Sequence, residues 1–177
     1  MDLKIVESGN GGDFVKVTRD LVTINGFESM PYLALFGGNV AASSPNVRIE
    51  TEQDFSWWGN SLLMPNDPGL QFNSETERAL NTTPLSSSGR VIIEQAVRKD
   101  LAFMKEFATI LVAVSIPATD KVIIGVRIQE PDNVQRRDFI FIWDATRNEL
   151  TVPSNIPINT GAPGTQEGFD YELDFAL

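Results

Sequence analysis

Residues 86–144 read SSSGRVIIEQAVRKDLAFMKEFATILVAVSIPATDKVIIGVRIQEPDNVQRRDFIFIWD, and the hydrophobic period changes once inside this stretch. Up to about Phe107 the period is helical. Ile93, Val97, Leu101 and Met104, with Ala96 and Ile92 beside them, recur at three-to-four spacing. Arg90, Glu94, Arg98, Asp100 and Lys105 fall mostly off that stripe. With Ser88 placed as the N-cap, the spacing predicts a main helix over 89–107. From Ile110 the period is two: Ile110, Val112, Val114 and Ile116 alternate with Leu111, Ala113 and Ser115. After Pro117-Ala118-Thr119-Asp120 the alternation resumes at Val122, Ile124, Val126 and Ile128, and again at Phe139, Phe141 and Trp143. Three strands within 109–144 joined by short connections must run antiparallel. The expected fold is therefore α+β, an antiparallel β-meander packed on one main helix. Phe139, Phe141 and Trp143 are expected in the core, and the third strand, apolar on both faces, calls for cover on both sides.

Upstream, Ser74-x-x-Glu77 is a capping box that opens a short helix over 75–80, ended by Pro84. Leu62 to Asn73, with Pro65-Asn66-Asp67-Pro68-Gly69, reads as a loop. Met30 to Phe36 reads as a short apolar helix with Pro31 in its first turn and Gly37-Gly38-Asn39 as its stop. Residues 41–60 show no clear period and end on Trp57-Trp58-Gly59-Asn60. Residues 1–26 read as a small β-meander, with turns at Gly9 to Asp13, Arg19-Asp20 and Asn25-Gly26.

Downstream, Thr151 to Gly168 holds three prolines and three glycines and reads as an extended segment. Phe169-Asp170-Tyr171-Glu172-Leu173-Asp174-Phe175 then alternates aromatic or aliphatic residues with acids, a strand pattern at the end of a tail. The expected organisation is one α+β domain over 1–150 and a C-terminal tail over 151–177. The terminal strand can add to its own sheet or to an edge on a neighbour, and the long linker favours the neighbour.

Composition bounds the chemistry. The 177 residues are enough for one domain with a real core, and 42% hydrophobic with 21% charged is globular composition. There is no cysteine and no histidine. Disulfides, thiolate and imidazole metal sites, cysteine nucleophiles and histidine bases are thereby excluded. A net charge of −10 opposes a phosphate backbone, so no nucleic-acid partner is expected. Arg136-Arg137 and Arg98-Lys99 read as solvated edges or salt-bridge partners. The longest apolar run, Ile110 to Ile116, is too short to span a bilayer, and the opening residues carry no signal-like pattern. The expectation is a chain made in the cytoplasm and used there or carried out within a particle, with no membrane partner.

A carboxylate mechanism remains to be weighed. Glycoside hydrolysis needs two acids roughly 5–9 Å apart across a cleft. Glu75 and Glu77 diverge on a helix, Glu77 has a capping role, and Glu94 and Asp100 read as helix surface charges. No enzyme, metal or cofactor is expected. The interface candidates are Trp57 and Trp58, one expected in the core and one at a contact, together with Phe169, Tyr171, Leu173 and Phe175.

The order of these features resembles the small baseplate-wedge proteins of contractile-tailed phages, the tail lysozyme-like or sheath-initiator family, in its Mu-type branch. The resemblance is carried by Asp20-Leu21-Val22, by Asn25-Gly26-Phe27-Glu28-Ser29, and by Tyr32 to Asn39 as an apolar helix ending in a polar turn. It continues in Trp57-Trp58-Gly59-Asn60, similar to a Trp-Trp-Gly-Asp signature, and in the central helix within Leu85 to Leu101 followed by strands in order. It covers residues 1–145; Asn60 stands where the family has an acid, and the tail has no counterpart. The resemblance implies a fold like the strand-exchanging handshake domain of the tail sheath protein. It implies a structural place in the inner wedge of a virion tail baseplate, assembled in the host cytoplasm in several copies around a symmetric ring. The implied partners are other wedge proteins, the tail sheath protein, and the central spike, hub or tube. The alternatives are a subunit of a non-viral contractile injection particle, a peptidoglycan-cleaving glycosidase, or a free small-molecule-binding domain.

Overall fold

The computed structural model describes residues 2–7, 12–24, 29–38, 58–131 and 136–152. The chain is α+β and divides into two compact units, Met1–Thr82 and Thr83–Leu177.

The first unit opens on β1 (Asp2–Leu3), β2 (Ile5–Glu7), β3 (Gly12–Phe14), β4 (Lys16–Val17), β5 (Asp20–Leu21) and β6 (Thr23–Ile24). These are three short runs, each interrupted once. The sequence predicts consecutive hairpins, but the first run pairs with the third as well as the second: β2 with β3, β4 with β5, and β1 with β6, all antiparallel. Three central bonds close the ring, Lys4 N–H to the Val22 carbonyl, Val22 N–H to Val15, and Val15 N–H to Lys4, at 2.9, 2.9 and 3.1 Å. Each break in a run redirects its backbone from one neighbour to the other.

Helix α1 (Ser29–Phe36) follows, and it is buried on every side except at Met30. An eight-residue helix that is apolar all round has no solvent face to keep. Its first residue is tied to the opening run, because Ser29 Oγ accepts from Ile5 N–H and donates to the Leu3 carbonyl. Its end is set by Gly38, whose φ of 95° lies in the left-handed region where a side chain would be strained. Helix α2 (Trp58–Leu63), a 3-10 turn (Pro68–Leu70) and α3 (Thr76–Thr82) complete the unit. Buried Ser74 joins α1 to α3: its Oγ accepts from Glu77 N–H at 3.3 Å and donates to the Leu35 carbonyl, and its own N–H bonds the Gly38 carbonyl at 2.7 Å. Ser74, expected to cap α3, therefore caps two helices, the start of α3 and the end of α1, and its own N–H goes to Gly38.

In the second unit α4 (Ser87–Asp100) gives way to a 3-10 segment (Ala102–Glu106). The apolar stripe holds: Ile93, Val97, Leu101 and Met104 are at most 1% exposed. Two details of the expectation change. The N-cap is Ser86 rather than Ser88, with Gly89 N–H donating to Ser86 Oγ at 3.2 Å. A side chain at Gly89 would collide with the Pro84 carbonyl, so the chain can fold over the helix start only at glycine. Ile92, expected beside the stripe, is exposed, as are Val91, Phe103 and Phe107.

Strands β7 (Thr109–Ala118), β8 (Lys121–Gln129), β9 (Arg136–Asp144) and β10 (Glu149–Thr151) form one antiparallel sheet in the order β10-β9-β8-β7. The fourth strand was not expected. Val122, Ile124, Val126, Ile128 and Phe141 share one face and are at most 1% exposed. Burial of each such side chain contributes about 1.5–3 kcal/mol, which makes this row and the α4 stripe the core of the unit. Ile140 and Ile142, on the other face of β9, are half-buried. No helix among the described residues is long and apolar enough to cross a membrane.

Candidate strand-docking edge

The sheet has two outer strands, and their backbones are handled differently. Antiparallel strands send the N–H and C=O of alternate residues to opposite sides. The bond from Ala145 N–H to the Asp120 carbonyl, 2.8 Å, sets the phase. Residues 143, 141, 139 and 137 of β9 face β8, opposite Val122, Ile124, Val126 and Ile128. Residues 144, 142, 140 and 138 turn outward. By the same alternation β8 turns its odd residues to β7, and Ile110, Val112 and Val114 of β7 turn outward.

On the β7 side, α4 packs along the strand, and its arginines reach two of the outward carbonyls. Arg98 Nη2 donates to the Val112 carbonyl at 3.0 Å, and Arg90 Nη1 reaches the Val114 carbonyl at 3.4 Å. Glu94 sits between the two arginines one helical turn from each. Its Oε1 and Oε2 accept from Arg98 and Arg90 at 2.8 Å. The carboxylate thus orients both guanidinium groups toward the strand. Glu94, weighed above as an acid, is occupied by this role. Glu77 lies in the first turn of α3, where its N–H meets the cap.

On the β9 side, β10 covers only the last part of the strand. Glu149, Leu150 and Thr151 lie opposite Asp144, Trp143 and Ile142, and among the described residues no further strand pairs with the outer side of β9 from Arg136 to Phe141. Continuing that register would set Val152 opposite Phe141 and Pro153 opposite Ile140. Ile140 is an outward residue whose next ladder bond requires an N–H, and proline has none. A proline at position 153 therefore cannot make the ladder bond that would carry this register past Ile140. Over six residues of strand, about 20 Å, the outward backbone at Asp138 and Ile140 has no strand partner among the described residues.

The side chains beside this edge are well held. Arg127 on β8 forms a forked pair with Asp138 on β9, Nε to Oδ1 at 2.8 Å and Nη2 to Oδ2 at 2.9 Å. Hydrogen bonding to Asp138 raises the Arg127 pKa further, against the opposing effect of burial. Arg137 lies 3.7 Å from Glu130. On the face opposite Asp138, the indole N–H of buried Trp143 has no acceptor among the described residues.

In the first unit Asn60 is the most specific polar anchor. It is 1% exposed, its Nδ2 donates to the Phe72 carbonyl at 3.0 Å, and its Oδ1 accepts from Phe72 N–H at 2.9 Å. An ionised carboxylate could accept from the Phe72 N–H but not donate to its carbonyl, so an amide suits this bracket.

Of the interface residues read from the sequence, Trp57, Phe169, Tyr171, Leu173 and Phe175 lie outside the described residues. Trp58 opens α2, but its side chain is likewise outside them. Sequence reasoning missed the β9 edge itself. Its one local signal is Pro153, which has meaning only once the β9–β10 register is known. No described group of acids has the arrangement of a metal site. No family model matches the chain, and no curated protein or solved structure matches it either.

Proposed function

We propose that this chain is a structural subunit of the inner wedge of a contractile phage tail baseplate, joining the wedge to the first sheath ring and templating sheath assembly by strand pairing. The observation that carries the reading is the contrast between the sheet's edges among the described residues: helical arginines reach outward carbonyls of β7, while no described strand pairs with the outer side of β9 over Arg136–Phe141. An open strand edge is a hazard in a free monomer and a binding surface in an assembly. The antiparallel order β10-β9-β8-β7 beside one main helix is compatible with the handshake-like fold that the resemblance implies. In this role the edge supplies main-chain hydrogen bonds, and the side chains on either face of β9 select the register of the incoming strand.

The test is a seeding assay. Purified sheath protein polymerises after a lag that light scattering records, and the wild-type chain should shorten that lag. Ile140→Pro, which removes an outward N–H and spares the bonds to β8, should not. A photo-crosslinker at position 140 should capture sheath protein, whereas one at 112 should not. A lag unchanged by the wild-type chain, with no capture at position 140, would remove the sheath protein as the partner of this edge.

A further inference from the structure

We draw no further inference here: the strongest candidate, the exposed side chains of Leu62 and Leu70 on the loop whose ends Asn60 ties to Phe72, carries nothing because no observation in the structure shows what would cover them.

Discussion

Along β7, two guanidinium groups from α4 reach outward-facing carbonyls of the strand, and a carboxylate between them fixes both. Along β9, from Arg136 to Phe141, no described strand pairs with the outer side, and in the register of β10 a proline falls opposite Ile140. Both edges belong to one sheet with one core, so the difference does not arise from fold stability. A sheet that needed only to avoid aggregation would guard both sides. If β9 is a docking edge, guarding β7 alone would direct strand addition to a single place. The comparison can be broken at several points, beginning with the one that should cost most.

Ile93→Ala removes the centre of the stripe that holds α4 against the sheet, where Ile93 is fully buried. The expected loss is about 2–5 kcal/mol, read from urea unfolding. The guarded edge should then exchange its Val112 and Val114 amides faster than before. A loss under about 1 kcal/mol would mean that helix packing does not hold the arginines in place, and the contrast between edges would lose its basis.

A smaller change separates the guard from the packing. Arg90→Ala/Arg98→Ala leaves the buried stripe intact and strips both donors from β7. The arginine side chains are about 40% exposed, so the ion pairs themselves contribute little, and the expected loss is about 1–2 kcal/mol. The larger consequence should be association: sedimentation velocity should show dimers absent from the wild type. A monomeric double variant would show that the arginines decorate the edge without guarding it.

The parts legible in the sequence are those whose signal is local. The α4 stripe and the alternation of β7, β8 and β9 follow from repeated spacing, and Ser74 announced itself through Glu77. The helix was expected to run to Phe107 because Leu101 and Met104 keep the stripe, but a three-residue step fits a 3-10 turn as well as an α-helix. The cap moved to Ser86 because Pro84 folds over Gly89, a contact that a run of three serines does not reveal. Helix α2 was missed because its anchor, Asn60, bonds Phe72 twelve residues away. Strand β10 was missed because three residues, Glu149–Thr151, are too few to show a period. The open edge was hidden for the same reason, since it is defined by where β10 ends.

Arg127→Gln probes the rigidity of the open edge. The forked pair with Asp138 spans β8 and β9 and is under a third exposed, so its loss should cost about 1 kcal/mol. The sign with pH follows from the raised Arg127 pKa. Its stabilisation is fully present below the unfolded arginine pKa and is lost only as pH rises through the still higher folded value. The difference between variant and wild type should therefore stay flat from about pH 6 to about pH 10. A cost that disappears within that window would show that another titrating group governs the pair.

The smallest expected effect on stability carries the sharpest test of the comparison. Pro153→Val restores the N–H that β10 needs opposite Ile140 and supplies a residue suited to strands. If the proline is what keeps the edge open, β10 should lengthen and stability should rise by up to about 1 kcal/mol. The Ile140 amide should become protected. The more informative change is in assembly. With its edge closed by a covalently continuous strand, the variant should seed sheath polymerisation no better than Ile140→Pro, although it is more stable than the wild type. Gains in stability and seeding together would mean that the open stretch of β9 is incidental. Gain in one with loss of the other would mark Pro153 as the residue that trades fold stability for a docking edge.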